Sequence, residues 1–143
     1  MHISDLIKGQ ETFCADADQT VFEVAQSMVE RNIGAVPVLR SGVLVGIFSE
    51  RDLMRRVVVD GRDARTTCVA DVMTENPLTV SPQEEIPACM LLMRQNGFRH
   101  LPICEGRQLR GLISLRDLLW HDLNEKDDEV RMMRAYIHTT PDM

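Results

Sequence analysis

The chain has 143 residues, 44% of them hydrophobic and 27% charged, a balance that fits one soluble globular domain with an ordinary core. Its formal net charge of −6 argues against nucleic acid or an anionic membrane surface as the main partner. No apolar run reaches the roughly 18 residues a membrane span needs. The opening Met1-His2-Ile3-Ser4-Asp5 has no basic or apolar leader pattern, so a cytoplasmic location is expected.

A short strand is expected near Phe13 to Ala15. Val21, Val24, Ala25 and Met28 then recur at helical spacing, with Thr20 and Glu23 placed as a capping box at the start. Residues 35–39 and 43–48 read as strands joined by Arg40-Ser41-Gly42. A further helix opens at Ser49, turns Leu53, Met54, Val57 and Val58 inward, and closes at Gly61. Residues 61–70 form a polar linker. A second short strand is expected near Leu78 to Val80, then a helix with Ile86, Cys89, Met90 and Met93 on one face. Pro87 is tolerated only in a first turn, so that helix begins near Glu85. Strands at 100–104 and 108–113 flank Glu105-Gly106-Arg107, a helix opens at Ser114, and a charged tail helix is expected over 122–138. Val130, Met133 and Ile137 mark one side of that tail, extended by Met132 and Tyr136, which predicts docking on its own module or on a partner subunit.

The two halves of this series are one segment written twice. At a constant offset of 65, Pro37, Leu44, Gly46, Ser49, Arg51, Asp52 and Leu53 recur as Pro102, Leu109, Gly111, Ser114, Arg116, Asp117 and Leu118. One copy of about 60 residues is marginal alone, whereas two can bury a face against each other. The expected organisation is a first repeat at 1–60, a linker at 61–70, a second repeat at 71–121 and a helical tail at 122–143.

Each repeat carries Gly-apolar-apolar-Ser-x-Arg-Asp, at 46–52 and 111–117. The plain structural account is a helix cap, Ser at the N-cap and Asp three residues on. The same geometry also presents free amides and a positive helix end to an anion, with an arginine fork for phosphate and a carboxylate able to accept ribose hydroxyls. Glycine at the strand end would let a ligand approach the backbone. Glu50 and Asp52 do not make an acid–base pair, because no nucleophile or metal set stands near them in sequence. His2 and His138 are terminal, and His121 follows the last repeat helix as a solvated or helix-end partner.

Gly-Ala-Val-Pro-Val (34–38), Gly-Ile-Phe-Ser-Glu-Arg-Asp-Leu (46–53), Asp-Val-Met-Thr (71–74), Arg-His-Leu-Pro-Ile (99–103) and Gly-Leu-Ile-Ser-Leu-Arg-Asp-Leu (111–118) together resemble the tandem cystathionine-β-synthase (CBS) domains, over about residues 3–120. The resemblance implies an α/β (α+β) fold of two βαββα repeats packed as a pseudo-twofold pair, here followed by a C-terminal helix. It also implies two clefts that take adenosine compounds such as AMP, ADP, ATP, S-adenosylmethionine or NAD, and commonly a homodimer. Carried over, Asp52 and Asp117 would hold the ribose, and Ser49, Arg51, Ser114 and Arg116 would line the phosphate end. Ile33, Ala35, Val36, His100 and Leu101 would border the base or phosphates, and Thr79 would lie near the base. Arg99-His100 stands where the first half has Gly34-Ala35, so the cleft with His100, Arg116 and Asp117 is expected to suit phosphate better and the two affinities to differ.

The expectation is a non-catalytic ligand or energy-state sensor acting on a partner protein. The alternatives are an NAD(H)-binding pair, a ligand-independent interaction module in which Ser-x-x-Asp is only a cap, and a redox-responsive catalyst using Cys14. Cys14, Cys68, Cys89 and Cys104 form no Cys-x-x-Cys pair and have no histidine at ligand spacing, so no metal site is expected and reduced thiols packed as small hydrophobes are.

Overall fold

The computed structural model describes residues 2–139, the side chains of 128 and 136–139 excepted. In chain order the elements are α1 (Ile3–Ile7), β1 (Ala15–Asp16), α2 (Val21–Arg31), β2 (Ala35–Arg40), β3 (Val43–Ser49), α3 (Glu50–Asp52), β4 (Thr74–Glu75), α4 (Ile86–Asn96), β5 (His100–Glu105), β6 (Gln108–Ser114) and α5 (Leu115–Thr139). A π-helical turn, Leu53–Val58, prolongs α3, and a 3-10 turn, Val69–Asp71, precedes β4.

Local chemistry sets the helix ends. Thr20 Oγ1 accepts the Glu23 amide at 3.2 Å to open α2, and Asn32 closes it at φ 54°. At the equivalent end of α4 stands Gly97, at φ 70°, a left-handed conformation that costs glycine nothing. As the sequence predicts, α4 begins after Glu85 with Pro87 in its first turn. Val21, Val24 and Met28 on α2 are buried, as are Ile86, Cys89 and Met93 on α4.

The two hairpins, β2–β3 and β5–β6, are antiparallel and share a register shift at equivalent positions, Val38/Leu39 and Ile103/Cys104. β1 lies parallel to β2 with Ala15 opposite Val38, and in the second half Val80 meets Ile103 in the same register. There, however, a single bridge replaces the expected strand. The first half adds an Ala17 amide bond to the Leu39 carbonyl at 2.9 Å, whereas its equivalent, Pro82, has no N–H to donate.

Each half is completed by a segment that lies before it or after it in the chain. Ile3 of α1 is fully buried in the second core with Val80, Ile86, Leu101, Ile103 and Ile113, and its amide bonds the Glu84 carbonyl at 2.9 Å. Val69 does the same in the first core with Val21, Val36, Val38 and Phe48, its amide on the Gln19 carbonyl at 2.8 Å. Residues 64–73 therefore pack onto the first half, through Ala64, Val69, Ala70, Val72 and Met73. β4 adds an antiparallel rung to β3 at Gly46 and Ile47. At the matching place beside β6 the Gln10 side chain takes that role, donating to the Leu112 carbonyl and accepting its amide, both at 3.2 Å.

Two expectations need correction. Of the four residues expected to face inward after Ser49, Val57 is buried and Leu53 partly so, but Met54 and Val58 are 64% and 68% exposed. A π turn bonds residues five apart, as the Val59 amide does to Met54 at 3.0 Å, and this widening carries both side chains off the inner face. The tail is not a separate helix over 122–138, because α5 runs unbroken from Leu115. Val130, Met132 and Met133 are exposed on it, so these residues do not dock on the module; the side chains of Tyr136, Ile137 and His138 lie outside the described residues.

Candidate functional site

Both Ser-x-x-Asp units fold as capping boxes. The Asp52 amide donates to Ser49 Oγ at 3.2 Å and the Ser49 amide to Asp52 Oδ2 at 3.0 Å; at Ser114 and Asp117 the same pair measures 3.0 and 3.1 Å. The structural reading of the motif is thus realised twice. What differs is what remains of each carboxylate.

Asp52 is 7% exposed and fully engaged: Oδ2 also accepts the Ser49 hydroxyl at 3.1 Å, while Oδ1 accepts the Thr74 hydroxyl at 3.2 Å and faces Arg56 Nε at 3.8 Å. Asp117 is exposed, and among the described residues its carboxylate accepts only the Ser114 amide. The repeat explains the difference. In the pairing that sets Ile3 against Val69 and Ile7 against Met73, Thr74 corresponds to Lys8, which has no hydroxyl, and at the offset of 65 Arg56 corresponds to His121, which lies 3.8 Å from Glu125 instead. The same comparison corrects the glycine reading. A Cβ on Gly46 would meet Met73 Sδ at 2.5 Å and the Thr74 carbonyl at 2.7 Å, and one on Gly111 would meet Gln10 Oε1 at 2.8 Å, so protein rather than ligand fills the space beside both glycines.

Asp117 borders a cleft of about 910 Å³, large enough for a mononucleotide. The second half contributes Arg99, His100, Ser114, Arg116 and Asp117, and the first half contributes Ile33, Gly34, Ala35 and Glu50. Phe13 and, on α5, Trp120 add aromatic walls, and Glu11 adds a third carboxylate. Six of the sequence-predicted residues do not line it. Val36 and Leu101 are fully buried in the two cores, Ser49 and Asp52 form the first-half cap, and Arg51 and Thr79 are exposed elsewhere.

His100, the first residue of β5, is half-buried, and burial pushes its imidazole below the usual 6.5 against the opposing pull of Asp117 and Glu50. The cations of the cleft whose charge does not depend on pH near neutrality are Arg99 and Arg116. Thiol chemistry is not prepared here. Burial raises Cys14 above its ordinary value, the opposite of what a reactive thiolate requires, which counts against the redox reading of Cys14. Among the described residues no cluster of His, Cys, Asp and Glu could hold a metal ion, and no helix is long and apolar enough to cross a membrane.

Sequence reasoning missed Glu50 as a cleft residue, although its equivalent, Leu115, already marks the position as one where the halves differ in charge. Trp120 carried a weaker signal, lying one helical turn after Asp117.

A duplicated strand–helix–hairpin–helix unit with a cleft at the seam defines a two-repeat architecture. The CBS domain model matches residues 3–59 and 69–124, and the chain belongs to the CBS-domain family as a tandem pair. It is 34% identical over 147 residues to the mitochondrial CBS domain-containing protein CBSX3 of Arabidopsis thaliana, covering 94% of this chain and 71% of that protein. The fold superposes with a TM-score of 0.74 on CBSX2, solved in complex with AMP, at 21% identity over 87% of this chain and 98% of that one. It superposes with a TM-score of 0.79 on the CBS domain pair of MJ0100, solved with 5-methylthioadenosine and S-adenosyl-L-methionine, at 18% identity and the same two coverages.

Proposed function

We propose that the chain is a non-catalytic regulatory module whose cleft at the seam between the repeats binds an adenine nucleotide, with AMP the first choice. The carrying observation is that Asp117, unlike its twin Asp52, keeps its carboxylate open within a cleft that also holds Arg99, His100, Ser114 and Arg116. In this reading Asp117 accepts the ribose hydroxyls, Arg116, Ser114 and Arg99 meet the phosphate, and Ile33, Ala35, Phe13 and Trp120 enclose the base. Two fold neighbours solved with adenosine compounds support the same ligand class. Binding becomes regulation only if the ligand favours one arrangement of the module over another.

The capping boxes favour a second reading, a ligand-independent interaction module, because both caps are complete without any ligand. A thermal-shift and calorimetric panel of AMP, ADP, ATP, NAD, NADH and S-adenosylmethionine separates the two. Saturable binding of an adenosine compound supports the sensor, and no shift with any member overturns it. NAD(H) binding in preference to AMP would assign the cleft to a dinucleotide.

The module is further assigned as a homodimer, for which Phe22, Val29, Leu91 and Phe98 supply exposed apolar surface on or beside α2 and α4. Four free cysteines suit a reducing, cytoplasmic setting. A sedimentation mass equal to one chain would remove the first assignment, and cell fractionation tests the second.

A further inference from the structure

We infer that Glu50 is a charge gate: reaching across the seam from the first repeat, its carboxylate restricts the cleft to adenosine ligands with a short phosphate chain, AMP ahead of ADP and ATP. The inference rests on the adenine-nucleotide reading and adds to it the residue that chooses among the nucleotides.

The two repeats place opposite chemistry at one point of the same local frame. The Glu50 amide donates to the Gly34 carbonyl at 3.0 Å, and the Leu115 amide donates to the equivalent Arg99 carbonyl at 2.8 Å. In the second repeat the pair is thus apolar residue and cation; in the first it is acid and glycine. Because Gly34 has no side chain, the Glu50 carboxylate lies against its backbone, with Cδ and both oxygens 3.5–3.7 Å from where a Cβ would be. That position is part of the cleft wall facing His100, and no basic side chain of the first repeat borders the cleft there.

The charge balance follows. Three carboxylates, Glu11, Glu50 and Asp117, share the cleft with two guanidiniums, Arg99 and Arg116, and with one imidazole, His100, whose charging burial opposes. If Asp117 is occupied by ribose hydroxyls, two guanidiniums suffice for the dianion of AMP. Each further phosphate brings another negative charge toward Glu50 and Glu11 with no additional cation to meet it. Like charges a few ångströms apart near a protein surface repel by about 1.4 kcal/mol or more, enough for about a tenfold difference in affinity per unmatched charge.

The test is isothermal titration of the wild type and Glu50→Gln with adenosine, AMP and ATP in low salt with EDTA, so that no divalent cation bridges phosphate to carboxylate. The wild type should bind AMP about tenfold or more tighter than ATP. Glu50→Gln should raise ATP affinity about tenfold, AMP affinity about threefold at most, and leave adenosine within about twofold. The ATP gain should shrink in 0.5 M NaCl. An AMP/ATP ratio unchanged by the substitution would overturn the gate while leaving nucleotide binding intact, as would an equal change for all three ligands, which would make Glu50 merely structural. Failure of adenosine and AMP to bind either protein would overturn the nucleotide reading, and the gate with it. Glu50→Asp, which keeps the charge, should retain the preference for AMP.

Discussion

Asp52 and Asp117 occupy the same place in the repeat, and replacing each by alanine should separate stability from ligand binding. Asp52→Ala removes the acceptor of the Ser49 amide, the Ser49 hydroxyl and the Thr74 hydroxyl, at 3.0, 3.1 and 3.2 Å, and leaves Arg56 without its carboxylate. Hydrogen bonds to a buried charge contribute about 1.5–3 kcal/mol each, but three that share one carboxylate do not add. The expected cost is about 3 kcal/mol, a large part of a typical domain's stability. Asp117→Ala removes one bond at 3.1 Å from an exposed cap, for about 0.5–1 kcal/mol. Binding should show the reverse. Loss of the Asp117 carboxylate should weaken AMP at least about tenfold, because the charge-assisted bonds proposed between it and the ribose hydroxyls would have no substitute. Asp52→Ala should leave AMP affinity within about threefold under conditions where the variant stays folded. Urea denaturation gives the first pair of numbers and calorimetry the second. Equal destabilisation by both substitutions, or equal losses of AMP affinity, would refute the claim that the repeats have divided these tasks.

Gly46→Ala should destabilise by about 2–3 kcal/mol, because the Thr74 backbone that its Cβ would meet at 2.7 Å cannot move without breaking β4. Gly111→Ala should cost less, about 1 kcal/mol, since its closest neighbour is the end of the flexible Gln10 side chain; chemical denaturation of both compares them. His100 titrates below 6.5 in the folded chain, so between that depressed value and 6.5 the unfolded chain binds more protons. Its contribution to stability is therefore complete above 6.5 and is lost as pH falls through the folded value, and His100→Gln should flatten the loss measured in urea titrations between pH 7.5 and 5. Cys89, fully buried and pushed up to about 11 by burial and by Glu84, should resist iodoacetamide at pH 8 in the native protein and react on unfolding, as read by mass spectrometry.

Most of the fold is legible because each repeat states its own local rules. The 3.6-residue spacing of Val21, Val24 and Met28, the proline at 87 and the paired hairpins fix helices and strands without reference to the rest of the chain. What is not legible depends on contacts far apart in sequence. Nothing about Ile3 announces that it belongs to a core begun at Val80, and Gln10 gives no sign that its side-chain amide will stand in for a strand. The π turn after Asp52 also escapes a periodicity reading, since that reading assumes α-helical spacing. Of the candidate site, the second-repeat residues Arg99, His100, Ser114, Arg116 and Asp117 do come together with Ile33 and Ala35. Ser49, Arg51 and Asp52 hold the equivalent place in the other repeat and do not border this cleft, and what the duplicated motif conceals is how differently the two carboxylates are engaged by residues outside it, Thr74 and Arg56.

Those two residues carry the deeper consequence of the duplication. A serine-capped helix needs its carboxylate only for one amide, so a repeat retains spare acceptor capacity that can be turned to another use. In the first half Thr74 and Arg56 consume it, with Arg56 also donating to the Met73 carbonyl at 2.6 Å, and thereby secure the crossing segment that leads to the second half. In the second half Lys8 and His121 stand at the equivalent places and leave it open beside the cleft. Under the proposed function both outcomes have a use: the first carboxylate helps hold the segment at 69–75 against the first core, and the second stays available for a ligand. One capping motif, kept in two copies, can serve both because the residues around each copy were free to diverge.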